Sequence, residues 1–164
     1  MDRKFSNETK VVITMARDIA IDLGSELIST IHFYLANCKL EGYFNPKEFL
    51  FQSEEEFEQF YESLRIINPN IINNDNISLT LEAEETIRQS LKLKKEIKSD
   101  LVQPTHILLA ATKVPNSLFL TICNNKKDVY YQLLEFYIKK GYIIDPPITS
   151  FITKIKKSIL GHFN

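Results

Sequence analysis

His32 and His106 are the residues of this sequence best suited to acid–base or metal chemistry, since imidazole titrates near neutrality and ligates transition metals. Neither has a Cys, Asp or Glu beside it at ligand spacing, and the sequence offers no orienting partner for a catalytic imidazole. Each follows a helix start and precedes an apolar run, FYLA after His32 and ILLA after His106. Both therefore read as structural histidines that hydrogen-bond a neighbouring helix. The two cysteines, Cys38 and Cys123, lie far apart in apolar segments. They read as free buried thiols of a reducing compartment, because a small secreted scaffold would carry a denser framework. Ser6 and Thr80 stand where they can cap helices, and N–H groups exposed at a helix N-terminus favour anions. No nucleophile–base pair, metal-ligand cluster or cofactor motif emerges, so the chain is expected to be no enzyme and to need no cofactor or metal.

These residues must be positioned by helices. After Ser6, with Glu8 in the first turn, Val12, Met15, Ala16, Ile19, Ala20 and Leu23 recur at spacings of three and four, and Gly24 stops the pattern. A second helix is expected from Ser29 or Thr30. Asn45-Pro46 opens a short one ahead of Phe49 and Leu50, and Ser53 with Glu56 has the spacing of a capping box. The Asn-rich stretch 67–76 is the natural joint. Beyond it Thr80 starts a helix whose inward positions read as Ala83, Ile87, Ser90 or Leu91, and Ile97. Pro104 opens the next, and Val129 to Tyr137 marks a later one that ends at Gly141. Asp145-Pro146-Pro147 precedes an amphipathic stretch from Ser150 to Leu160, expected to pack on the domain. With 164 residues, 44% apolar and four glycines, one compact all-α domain is expected.

The two halves repeat. SELISTIHFYLA at 25–36 and SDLVQPTHILLA at 99–110 lie 74 positions apart and share Ser, Leu, His, Leu and Ala in register. The same offset pairs Ser6 with Thr80, Glu8 with Glu82, Ile13 with Ile87 and Leu23 with Ile97 without a gap. The expected organisation is a first helical repeat over 1–66, an Asn-rich linker over 67–78, a second repeat over 79–141 and a C-terminal extension over 142–164.

Phe5-Ser6, the helix ending Leu23-Gly24, and the run ISTIHFYL from Ile28 to Leu35 resemble the first repeat of the N-terminal domain of Clp-type AAA+ unfoldases. Leu79-Thr80 through VQPTHILL, Val102 to Leu109, resembles the second. The resemblance implies two four-helix repeats related by a pseudo-twofold axis, in a domain that binds substrates and adaptor proteins. In some members of that family the hydroxyls equivalent to Ser6 and Thr80 hold the phosphate of a phosphorylated arginine. An acidic residue just before the repeat histidine then holds its guanidinium. This sequence has Ile31 and Thr105 at those positions, so the charge-assisted bond to a guanidinium is lost at both, and plain capping is the expected role of Ser6 and Thr80.

Other classes are excluded by what the chain lacks. It has no G-x-x-x-x-G-K-[ST] phosphate loop. A net charge of −1 gives no overall field for nucleic acid or an anionic membrane. Lys92, Lys94, Lys95 and Lys98 make a basic face that reads as solvated, although Lys94 and Lys98 replace the small Ala20 and Gly24 of the first repeat and imply a reshaped edge. No leader peptide or membrane-spanning run is expected. The expectation is a cytosolic, free-standing protein-binding module whose partners are unfolded substrates, an adaptor or a Clp-type ATPase. The alternative is an interaction protein that left that pathway, for example in a secretion or toxin–immunity system.

Overall fold

The computed structural model describes residues 4–67, 76–124 and 128–142. Among them the fold is all-α apart from two strands of two residues each. In chain order the elements are α1 (Asn7–Asp22), β1 (Leu27–Ile28), α2 (Thr30–Lys39), α3 (Lys47–Leu50), α4 (Glu54–Ser63), β2 (Ser78–Leu79), α5 (Leu81–Glu96), α6 (Pro104–Ala111), α7 (Leu118–Ile122) and α8 (Val129–Lys139). The Asn-rich joint and the amphipathic C-terminal stretch fall wholly or mostly outside the described residues.

α2 and α6 form the centre. In α2 every residue from Thr30 to Cys38 except Ile31 is buried, and in α6 all eight residues are. They pack on each other, α1 and α5 cover their outer sides, and α7 and α8 close the remaining faces. Large side chains fill the space between: Tyr34 stacks on Phe119 at 5.2 Å, and Phe44 meets Tyr137 edge-on at 5.0 Å.

Local chemistry explains the helix starts. Ser6 and Thr80 both hold extended backbone, and their hydroxyls accept from the N–H groups of Thr9 and Ala83. Ser53 accepts from the N–H of Glu56 at 3.2 Å. The reciprocal half of the expected capping box is displaced by one residue, since the Glu56 carboxylate takes the N–H of Gln52 at 2.8 Å.

The two halves exchange matching bonds. The Ser6 N–H donates to the Val102 carbonyl at 3.0 Å, and the Thr80 N–H donates to the Ile28 carbonyl at 2.9 Å. Phe5 bridges Val102 in parallel, and β1 pairs with β2 in parallel, Ile28 opposite Leu79. These strands escape a reading by periodicity, because two residues show none. The turns after α1 and α5 also correspond. Ser25 N–H reaches Ala20 O at 2.8 Å and Ser99 N–H reaches Lys94 O at 3.0 Å. Gly24 takes φ +77° and Lys98 takes φ +58°. The edge at Lys98 therefore follows the glycine-type turn, at the steric cost that a Cβ meets in that region.

The buried stripe of α5 is the main departure from the sequence reading. α1 buries Thr9, Val12, Ala16 and Ile19, and α5 buries Ala83, Thr86, Ser90 and Leu93, the same register 74 residues on. Ile87, Leu91 and Ile97 are only half-buried. The helix start at Thr80 fixes the rotation of α5, and the small hydroxyl residues fit against α6. Ser90 satisfies itself on the Ile87 carbonyl at 2.7 Å, whereas the fully buried Thr86 hydroxyl has no hydrogen-bond partner. Thr86→Val keeps the shape and removes a desolvated hydroxyl, so it raises stability by about 1 kcal/mol, read from the urea midpoint. An unchanged or lower midpoint would mean that the hydroxyl is satisfied.

Candidate functional site at the helix N-termini

α2 begins inside the protein, where its first N–H groups have no water to bond. Thr30, its first residue, gives its N–H to Glu82 Oε1 at 2.9 Å and its hydroxyl proton to Glu82 Oε2. The Thr80 hydroxyl adds a 2.7 Å bond to Oε1, and the N–H of Leu118, at the start of α7, reaches Oε2 at 3.2 Å. With its only proton spent, the Thr30 oxygen accepts from the Phe119 N–H at 3.0 Å and from the Ser117 hydroxyl at 3.1 Å. One carboxylate thus joins the starts of α2, α5 and α7. The N-terminus of α2 attracts negative charge, and here the chain supplies it. Leu81 and Leu118 flank this polar knot at the surface, 84% and 41% exposed.

The corresponding corner of the other half is built differently. Ser6 Oγ accepts from Thr9 N–H at 3.1 Å, and Thr9 Oγ1 donates to the Val102 carbonyl at 2.7 Å. The remaining 3.0 Å contact between the two hydroxyls therefore has Ser6 as donor. α6 opens with Pro104, which has no N–H to offer where Thr30 offers one. Glu8, 74 residues before Glu82, stays exposed. Ser6 is buried within its own cap, while Thr80 is half-exposed and bonded to Glu82. Ile31 is half-buried and aliphatic, and Thr105 is buried. Neither position supplies a carboxylate.

His32 and His106 do the same job at the two helix starts. Nδ1 of His32 accepts the Ser29 N–H at 2.9 Å, and Nδ1 of His106 accepts the Gln103 N–H at 3.0 Å. Each bond lies within the histidine's own helix start and requires an unprotonated Nδ1. Burial pushes both imidazoles down to about 4, opposed at His32 by Glu82 and reinforced at His106 by Lys94. Among the described residues no group of three or more His, Cys, Asp or Glu converges as a metal site. Cys38 and Cys123 are buried free thiols, and burial raises the Cys38 thiol well above its ordinary range.

The caps are legible in the sequence, whereas Thr30, Glu82, Ser117 and Leu118 are not legible there as a cluster. Glu82 and Thr30 are 52 residues apart, and only the packing of α5 against α2 brings them together. The available signal was the substitution of Pro104 for Thr30 between otherwise matching helix starts.

These features define an all-α domain whose polar centre is a set of interlocked helix starts. No protein-family model matches the chain, and no curated protein does. Among solved structures it is similar to a chain described under "Preliminary structural investigations of a malarial protein secretion system", with a TM-score of 0.56, at 20% identity, over 96% of this chain and 98% of that one. At that identity the likeness shows a shared fold. No helix among the described residues is long and apolar enough to cross a membrane.

Two outcomes follow from the geometry. Glu82→Ala strips partners from Thr30, Thr80 and Leu118 and costs about 2–3 kcal/mol in urea unfolding, whereas Glu8→Ala at the exposed counterpart changes stability by less than about 0.5 kcal/mol. Equal losses would remove the distinction between the corners. Both histidines take up protons less readily when folded, with ordinary values near 6.5 falling to about 4. Their contribution is complete above pH 6.5 and is lost as the pH falls toward 4, at about 3 kcal/mol for each. Urea midpoints between pH 7 and 4 and imidazole NMR titrations check this, and an imidazole titrating near 6.5 in the folded protein would contradict it.

Proposed function

We propose that this chain is a non-catalytic protein-binding module, built from one duplicated helical unit and resembling the N-terminal domain of Clp-type unfoldases. It binds exposed segments of client proteins, or an adaptor, as an accessory subunit or decoy of a Clp-type chaperone–protease. The observation that carries this reading is the reciprocal pair of bonds, Ser6 to Val102 and Thr80 to Ile28, set 74 residues apart. It is the arrangement expected of two copies packed about a pseudo-twofold axis. The exposed Leu81 and Leu118 beside the Glu82 knot offer apolar anchors at an interface. The absence of catalysis is supported by the histidines, whose Nδ1 atoms are engaged as caps. Two free thiols suit a reducing cytosol. The absence of carboxylates at positions 31 and 105 argues against phosphoarginine as the ligand.

The similar structure described in terms of a malarial secretion system favours a second reading, an interaction protein of a secretion apparatus outside the Clp pathway. Fluorescence anisotropy of the labelled protein against a purified Clp-type hexamer and against a reduced, permanently unfolded polypeptide separates them. The first reading expects saturable binding to one of these, weakened about tenfold by Leu81→Asp with Leu118→Asp, an effect of about 1.4 kcal/mol. Binding to neither would overturn it and leave the second.

A further inference from the structure

We propose that residues 150–160 of this chain dock on the acidic, aromatic face formed by α3 and α4. Charge is distributed unevenly. Residues 47–63 carry one lysine against six glutamates, although the whole chain is near neutral at −1. Lys47 holds Glu54 at 2.7 Å, Arg65 holds Glu62 at 2.9 Å and Lys140 pairs with Glu48, which leaves Glu55, Glu56 and Glu58, all exposed, as the negative charges of this face. Residues 143–164, outside the described ones, carry three lysines against one aspartate. By sequence pattern Ile152, Ile155 and Ile159 fall on one side of a helix, with Lys154, Lys156 and Lys157 around them.

The described chain also leads toward this face. Lys140 pairs with Glu48 of α3, and Tyr142, the last described residue, packs on Phe44 at 4.3 Å. From Phe44 the aromatic track continues through Phe136 at 5.2 Å to Phe49 of α3 at 5.5 Å. Phe51 and Phe60 stack at 5.2 Å, both half-buried, and Phe51 lines a shallow depression of about 260 Å³ with Glu48, Gln52 and Glu54. Seven residues, 143–149, span up to ~24 Å when extended, enough to reach across α4, whose ten residues are ~15 Å long. The isoleucines supply apolar area against the phenylalanines. The lysines set the register on the glutamates, because exposed ion pairs contribute little binding by themselves.

Carbodiimide cross-linking of the full chain, with hydrogen exchange of the α4 amides, tests the docking. Links from Lys154, Lys156 or Lys157 to Glu55 or Glu58 within the monomer are expected. Lys154→Glu, Lys156→Glu and Lys157→Glu together should speed α4 exchange several-fold, and adding Glu55→Lys and Glu58→Lys to that chain should restore the slow rate. Links confined to dimers would assign the face to a second copy. Links to other carboxylates, α4 exchange unchanged by the charge reversal, or protection of the segment only on anionic vesicles would each overturn the proposal.

Discussion

A helix that starts in the interior brings N–H groups with nothing to bond, and among the described residues the central helices α2, from Thr30, and α6, from Pro104, start in this way. Leaving one buried donor unpaired costs 1–3 kcal/mol or so, a sizeable share of a small domain's stability. The architecture is arranged around meeting that demand. His32 and His106 fold back onto the backbone just before their helices. The chain before α1 runs beside the segment leading into α6, and the chain before α5 runs beside the segment leading into α2, each giving and taking backbone hydrogen bonds. Burial of α2 and α6 is possible because the first turn of each is covered in this way.

The two buried helix starts solve the problem with different chemistry. Pro104 removes a donor, and a pair of hydroxyls, Ser6 and Thr9, completes the contact. Thr30 keeps its donor and adds another, and a carboxylate from the opposite half takes both. An anion at a helix start gains from the local dipole and from charge-assisted bonds, while a proline avoids the need for either. The same backbone path therefore supports one neutral corner and one charged corner. The charged corner is the one beside the exposed leucines, 81 and 118.

Much of this organisation was legible in the chain itself. Ser6, Thr80, Gly24 and Pro104 mark helix ends through local backbone chemistry, which acts over three or four residues and can be read in one dimension. The all-helical class followed from apolar spacing in α1 and from the scarcity of glycine. The rotation of α5 did not follow, because apolarity was a poor guide where Thr86 and Ser90 face inward and Ile87 and Leu91 lie at the margin. The bond between Glu82 and Thr30 was equally invisible, since it depends on a helix crossing. Two-residue strands leave no periodic trace, although their backbone bonds hold the halves together.

The crossing pattern of those bonds has a consequence for how the molecule comes apart. Residues 4–6 secure the start of α6, and residues 78–82 secure the start of α2, so neither half owns a complete set of its own caps. Fraying at one of these corners strips partners from a segment that belongs to the other half of the chain. Such interdependence disfavours a state with one half folded and the other open, and it makes the pair a single cooperative unit despite its internal resemblance.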